Sequence, residues 1–131
     1  MDIFKHKNKL VCQIIRSDNK FKKKKNFFTN PKNSFQFGVL NFDKSDDVKL
    51  HYHPKRKRTV YHTSEVLIIK KGALHLSIFD KKGKNLKEFI LNKGDIAYLC
   101  DIAHKIKFLK ATEILEIKQG PYSQKKDKVF V

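Results

Sequence analysis

The residues best suited to chemistry lie between positions 51 and 72, in the stretch HYHPKRKRTVYHTSEVLIIKKG. His51 and His53 are separated by one residue, so on a strand both imidazoles would project to the same side. Two residues of strand separate the Cα atoms by roughly 6.6 Å. That spacing lets both rings reach one ion at bond lengths of about 2.1 Å. The His-x-His pattern therefore predicts a bidentate metal clip on a strand at 48–53.

Two further side chains have the chemistry of metal ligands and begin apolar stripes. Glu65 shares a strand face with Leu67, and His104 shares one with Ile106. A carboxylate facing a core is costly unless it is paired or metal-bound. The alternatives are that Glu65 marks the exposed end of its strand and that His104 is a hydrogen-bonded core imidazole. Three imidazoles and a carboxylate converging in the mouth of a β-barrel would suit a first-row transition metal with open positions.

The elements that must position these residues are strands, because helical periodicity is nearly absent. Short apolar or alternating runs are separated every 8–12 residues or so by turn-forming residues, as in an all-β sandwich or barrel. The predicted strands are 9–15, 35–42, 48–53, 64–70, 73–79, 86–91, 96–100, 104–109 and 114–118. DKKG at 80–83 is a predicted hairpin turn. We expect one antiparallel domain over 1–131, with its core at 35–119 and the strand 9–15 and the tail 120–131 packed on it.

The net charge of +17 is the unusual feature of the composition. Of the 30 basic residues only Arg16, Arg56 and Arg58 are arginine, and the abundance of Lys, Ile, Asn and Phe is what AT-rich codons would produce. A basic nucleic-acid-binding protein is an alternative. We do not expect a nucleic-acid partner, because the lysines are spread along the chain rather than gathered with arginines and aromatics.

The cysteines and the amino terminus indicate a compartment. Cys12 and Cys100 lie in apolar runs without a CxxC partner, so we expect buried, reduced thiols. The first apolar run is too short for a signal peptide or a membrane span. We therefore expect a cytoplasmic protein with no membrane association.

The sequence resembles the cupin superfamily in two motifs. The first cupin motif places Glu after His-x-His and Gly seven positions beyond that Glu, as in H51-Y-H53 and E65-VLIIKK-G72; the second runs from Gly94 to His104. The sequence departs from both motifs. In the first, the gap from His53 to Glu65 is longer than usual. In the second, Cys100 occupies the position of the usual Pro, Ile102 occupies that of the usual Gly, and His104 comes one residue earlier than usual. The longer gap and the ending EIKQGPYSQKKDKV at 116–129 resemble small bacterial cupins encoded among surface-polysaccharide and nucleotide-sugar genes.

This resemblance covers about residues 27–131 and implies a fold and a cofactor. The fold would be a cupin-type antiparallel β-barrel (a double-stranded β-helix, or jelly roll) with little helix. The cofactor would be a divalent transition metal (Fe, Mn, Ni, Co or Zn) held by His51, His53, Glu65 and His104. The resemblance favours a sugar or nucleotide-sugar intermediate as substrate, with isomerase, epimerase or oxygenase chemistry. A non-catalytic sugar-binding cupin is the alternative.

Other residues are candidates for handling the substrate. Arg56 and Arg58 flank the histidine clip, where they could clamp an anion, or they could belong to a solvated basic loop. Glu116 and Lys118 share a strand face and could form an acid–base pair or a structural ion pair. Tyr122 follows a Gly-Pro turn and could close one end of a pocket or pack against the body.

Two expectations complete the sequence-based picture. His62 is an alternative metal ligand, although on a continuous strand it would face away from Glu65. An open sheet edge and the terminal KVFV predict a homodimer, since exposed edges are commonly paired or covered.

Overall fold

The computed structural model describes all 131 residues, which form ten strands and no helix. The strands are β1 (Asp2–His6), β2 (Lys9–Ile15), β3 (Lys25–Phe27), β4 (Gly38–Leu40), β5 (Ser64–Lys71), β6 (Ala73–Phe79), β7 (Asn85–Asn92), β8 (Ile96–Cys100), β9 (Ala103–Phe108) and β10 (Glu113–Lys118). Every strand pairing is antiparallel. The predicted all-β class is therefore confirmed. No helix has the length and apolar character needed to cross a bilayer.

The chain divides into two compact units. The main unit comprises Met1–Asn19 and His62–Val131, and the small unit comprises Lys20–Tyr61. In the main unit, one sheet has the strand order β1-β2-β8-β5-β10 and the other has the order β7-β6-β9. The small unit contains the hairpin β3-β4.

The two sheets of the main unit share one hydrophobic core. The five-stranded sheet contributes Cys12, Ile14, Leu67, Ile69, Ala97 and Leu99, and the three-stranded sheet contributes Leu74, Leu76, Ile78, Phe89 and Leu91. These residues alternate along their strands with residues of the opposite face, as the period of two requires. The alternation therefore identifies the inner face of each strand, which for β5 runs through Glu65, Leu67 and Ile69.

Two positions with positive φ carry the chain from the five-stranded sheet to the three-stranded sheet. Gly72, at φ 86°, joins β5 to β6, and a Cβ there would lie 2.2 Å from the carbonyl oxygen of Ala111. Asp101, at φ 49°, joins β8 to β9. Aspartate tolerates the left-handed region better than most side chains. Asp101 thus makes this turn without a glycine, and it sets the start of β9 and the position of His104.

Most predicted strands are confirmed, and 9–15, 73–79 and 96–100 have the predicted bounds. The hairpin turn at DKKG joins β6 to β7, and its Gly83 has φ 84°. The prediction of a strand at 48–53 is wrong, because residues 47–63 contain no strand and all are exposed. VKLHYH alternates in type, but neither set of side chains is buried, so nothing fixes it to a sheet. The strands β1 and β3 were missed.

Candidate functional site

Glu65 and His104 meet at one end of the core of the main unit. Glu65 comes from the five-stranded sheet and His104 from the three-stranded sheet, and Glu65 Oε2 lies 3.3 Å from His104 Nε2. The side chains are 15% and 27% exposed, respectively. The expectation that both residues face inward at the end of an apolar stripe agrees with this placement. We call these two residues the Glu65–His104 pair.

Hydrogen bonds define the protonation of this pair. His104 Nδ1 lies 3.3 Å from the carbonyl oxygen of Ile102, and because a carbonyl can only accept, Nδ1 carries a hydrogen. The hydrogen bond with Glu65 raises the pKa of His104 against the opposing effect of burial. The hydrogen bond with His104 lowers the pKa of Glu65. Both pKa shifts favour the imidazolium–carboxylate form of the pair.

His51 and His53 lie next to each other in the small unit. Their ring centroids are 5.3 Å apart with the planes at 82°, so the two imidazoles are neighbours although no strand holds them. His51 Nδ1 lies 2.8 Å from the carbonyl oxygen of Lys49. That bond requires the hydrogen on Nδ1 and leaves Nε2 of the neutral ring as an acceptor; histidines that bind a metal are commonly oriented in the same way.

The four predicted ligands are therefore divided two and two between the units. Each pair holds its side chains close together, and His51 and His104 both direct Nδ1 to the carbonyl two residues earlier. No group of three or more His, Cys, Asp or Glu side chains is arranged to hold a metal ion.

Lys118 lies beside the Glu65–His104 pair. In the register of β5 and β10 it is the partner of Glu65, and Glu116 is the partner of Leu67. Partners in an antiparallel ladder project to the same side, so Glu116 and Lys118 are both on the inner face of the sheet. Lys118 Nζ bonds Asp127 Oδ2 at 3.1 Å, and Glu116 is exposed.

The remaining candidates are mostly exposed. Arg56 and Arg58 belong to the exposed segment of the small unit. Tyr122 is 71% exposed, and its ring centroid lies 5.6 Å from Lys118 Nζ. His62 Nδ1 lies 3.5 Å from Oδ1 of Asp101, the turn residue between β8 and β9.

The contribution of Asp127 was missed by the sequence analysis. Nothing in SQKKDKV marks one acidic residue among the lysines, and the contact depends on how the tail folds back on β10. Both cysteines are free, as predicted, but only Cys12 has the predicted burial, because Cys100 is partly exposed. Burial raises the pKa of the Cys12 thiol to about 12, which keeps it protonated and unreactive.

The chain matches no protein-family model, and comparisons with the curated proteins and with the solved structures give no match either.

Proposed function

We propose that this protein is a metal-dependent enzyme of the cupin type that acts on a small polar or anionic molecule. The observation that carries the proposal is the Glu65–His104 pair, in which two predicted ligands, 39 positions apart and in different sheets, meet at 3.3 Å. The cation Lys118 is opposite Glu65 in the ladder. The jelly-roll arrangement and the relation to cupins are part of this proposal.

The chemistry of the donor set fits a first-row transition metal. His51, His53, Glu65 and His104 would hold the ion, and three imidazoles with one carboxylate suit Fe, Mn, Ni, Co or Zn. Nε2 of His51 is available as a ligand atom, and the Nε2 proton of His104 would have to leave on binding. Such an ion supplies Lewis acidity that stabilises negative charge on substrate oxygens.

The chain's own groups would bind and orient the substrate. Lys118 offers an ammonium on the inner face, and Glu116 offers an exposed carboxylate two residues away on the same face. A carboxylate and an ammonium so placed could move a proton to and from a carbon next to a carbonyl. This arrangement favours isomerisation or epimerisation of a sugar or nucleotide-sugar, while oxygen-dependent cleavage suits the same donor set. Arg56, Arg58 and Tyr122 are proposed to contact the substrate.

A non-catalytic binding protein is the second candidate function. The observation that favours it is the charge balance of the Glu65–His104 pair, since the imidazolium satisfies the carboxylate without any metal. In that case a sugar would bind at the same end of the core and would leave unchanged. Metal content separates the two candidates.

We also propose that the protein forms a homodimer. The edge strand β10 exposes Leu115 and Ile117 at 49% and 47%, and the terminal Phe130 is 94% exposed. An unpaired edge with apolar side chains is readily covered by a second copy. Light scattering should give about twice the monomer mass of 15.4 kDa, and a monomer at all concentrations would contradict this part of the proposal.

The test of the metal-dependent function is the metal content of untagged protein purified without chelator. Wild type should hold near-stoichiometric Fe, Mn, Ni, Co or Zn, and His53→Ala and His104→Ala should lose it. The matched controls are His75→Ala, whose imidazole faces Glu88, and His6→Ala at the end of β1, because neither residue is a proposed ligand. Wild type that takes up no metal after reconstitution, or controls that lose as much as His53→Ala, would refute the metal site.

A further inference from the structure

The ammonium of Lys118 occupies a sheltered position next to the proposed site. Lys118 is the ladder partner of Glu65, and its side chain is 22% exposed. Glu65 is already paired with His104 Nε2, which lies 3.3 Å away. The Lys118 ammonium therefore forms its direct ion pair with a different residue. Its partner is Asp127 of the C-terminal tail, at 3.1 Å.

A short turn presents the Asp127 carboxylate. The backbone N–H of Ser123 donates to Asp127 Oδ1 at 3.2 Å, and the backbone N–H of Asp127 donates to the Ser123 carbonyl at 2.9 Å. One carboxylate oxygen is thus held by the turn, and the other faces Lys118. The hydrogen bond from Lys118, with that from Ser123, lowers the pKa of Asp127, so the group is anionic at neutral pH.

Tyr122 and Lys128 of the tail complete the surroundings of this ion pair. The Tyr122 ring lies 5.6 Å from Lys118 Nζ. The charge of Lys128 contributes to lowering the pKa of both Glu65 and His104, which places that charge near the pair. This end of the core therefore combines a neutralised acid–imidazole pair with two cations, and the tail supplies the carboxylate that contacts Lys118.

We propose that Lys118 binds the anionic group, a carboxylate or a phosphate, of the small molecule taken up at the Glu65–His104 pair. The Asp127 carboxylate holds the ammonium in position until that anion displaces it. The inference rests on the proposed function for the location of the site and needs no metal. If the ion pair only fastened the tail, removal of the Asp127 carboxylate would free no anion-binding group and would not tighten anion binding.

The test is a titration with inorganic phosphate and, separately, acetate, followed through the backbone amide NMR signals of Glu65, His104 and Tyr122. At about 0.15 M NaCl the Debye length is about 8 Å, which suppresses general attraction to a chain of net charge +17. The variants are Lys118→Met and Asp127→Asn. Lys70→Met and Glu113→Gln are matched controls, because that pair joins β5 to β10, the strands that carry Glu65 and Lys118, at 2.8 Å but is 57% and 60% exposed.

Lys118→Met should weaken binding of the preferred anion at least about tenfold, as expected for loss of a charge-assisted hydrogen bond. Asp127→Asn should tighten it, and the controls should match wild type. The anion that binds more tightly assigns phosphate or carboxylate. No shift at the three amides with either anion, equal weakening in Lys70→Met and Lys118→Met, or no tightening in Asp127→Asn would overturn the inference.

Metal content distinguishes failure of this inference from failure of the proposed function. Stoichiometric metal without anion binding at these amides would overturn the role of Lys118 alone. Anion binding in a protein that takes up no metal would refute the metal-dependent enzyme and leave the role of Lys118 in place.

Discussion

Replacement of Glu65 by Gln should lower the stability of the metal-free protein in a pH-dependent manner. The change removes the carboxylate that faces His104 at 3.3 Å, in a pair whose side chains are 15% and 27% exposed. Hydrogen bonds to charged groups contribute roughly 1.5–3 kcal/mol. Gln can still hydrogen-bond and water reaches the imidazole, so we expect a loss of about 1–2 kcal/mol in the free energy of unfolding near pH 6.

The pH window follows from the two pKa shifts. The pKa of His104 is raised above 6.5, so its contribution is complete below pH 6.5 and is lost as the pH rises through the raised value. The pKa of Glu65 is lowered below 4.5, so its contribution is complete above pH 4.5 and is lost as the pH falls through the lowered value. The difference between wild type and variant should therefore be largest between pH 4.5 and 6.5.

The assay is urea unfolding of chelator-treated wild type and Glu65→Gln across this range of pH. Glu113→Gln is the control, because its partner Lys70 is 57% exposed and such surface pairs contribute little to stability. A stability difference that is independent of pH, or that grows steadily towards alkaline pH, would refute the ion pair between Glu65 and His104.

Two further predictions concern residues that hold the two sheets in place. Gly72→Ala should destabilise the protein by about 1–3 kcal/mol or more, because φ is 86° and the new Cβ would lie 2.2 Å from the Ala111 carbonyl oxygen. Thermal unfolding measures this loss, and it should show no comparable loss for the control Gly120→Ala, where the space around the new Cβ is open. Asp95→Asn should lower the free energy of unfolding by about 1–3 kcal/mol, because the buried carboxylate accepts hydrogen bonds from Arg16 at 3.0 Å and from two backbone N–H groups. Urea midpoints unchanged from wild type would contradict this stabilising role of Asp95.

The strands that sequence patterns predicted well are those with a buried inner face. In β6, apolar residues occupy every inner position, and the residues on either side favour turns, so the bounds were predicted without error. β1 and β3 were missed because they are rich in charged and polar residues and form by pairing with a neighbouring strand. The opposite error occurred at 48–53, where alternation in residue type did not correspond to a buried face.

The candidate site was predictable to a similar extent. Position parity along β5 and β9 was enough to place Glu65 and His104 on inner faces, because two positions later Leu67 lies in the core and Ile106 packs against it. The contact between them depends on the sheet crossings at Gly72 and Asp101, and the second of these has no glycine to reveal it. The Lys118–Asp127 contact depends on the path of the tail, which local sequence does not encode in a readable pattern.

We propose that one metal ion is bound by His51, His53, Glu65 and His104, and X-ray absorption at the metal edge tests this proposal most directly. The reconstituted wild-type protein should show a first shell with three imidazole nitrogens at about 2.0–2.1 Å and a carboxylate oxygen at a similar distance. The imidazole count should fall to two in His53→Ala and also in His104→Ala. A shell of water and carboxylate oxygens alone, or one that both variants leave unchanged, would contradict the claim.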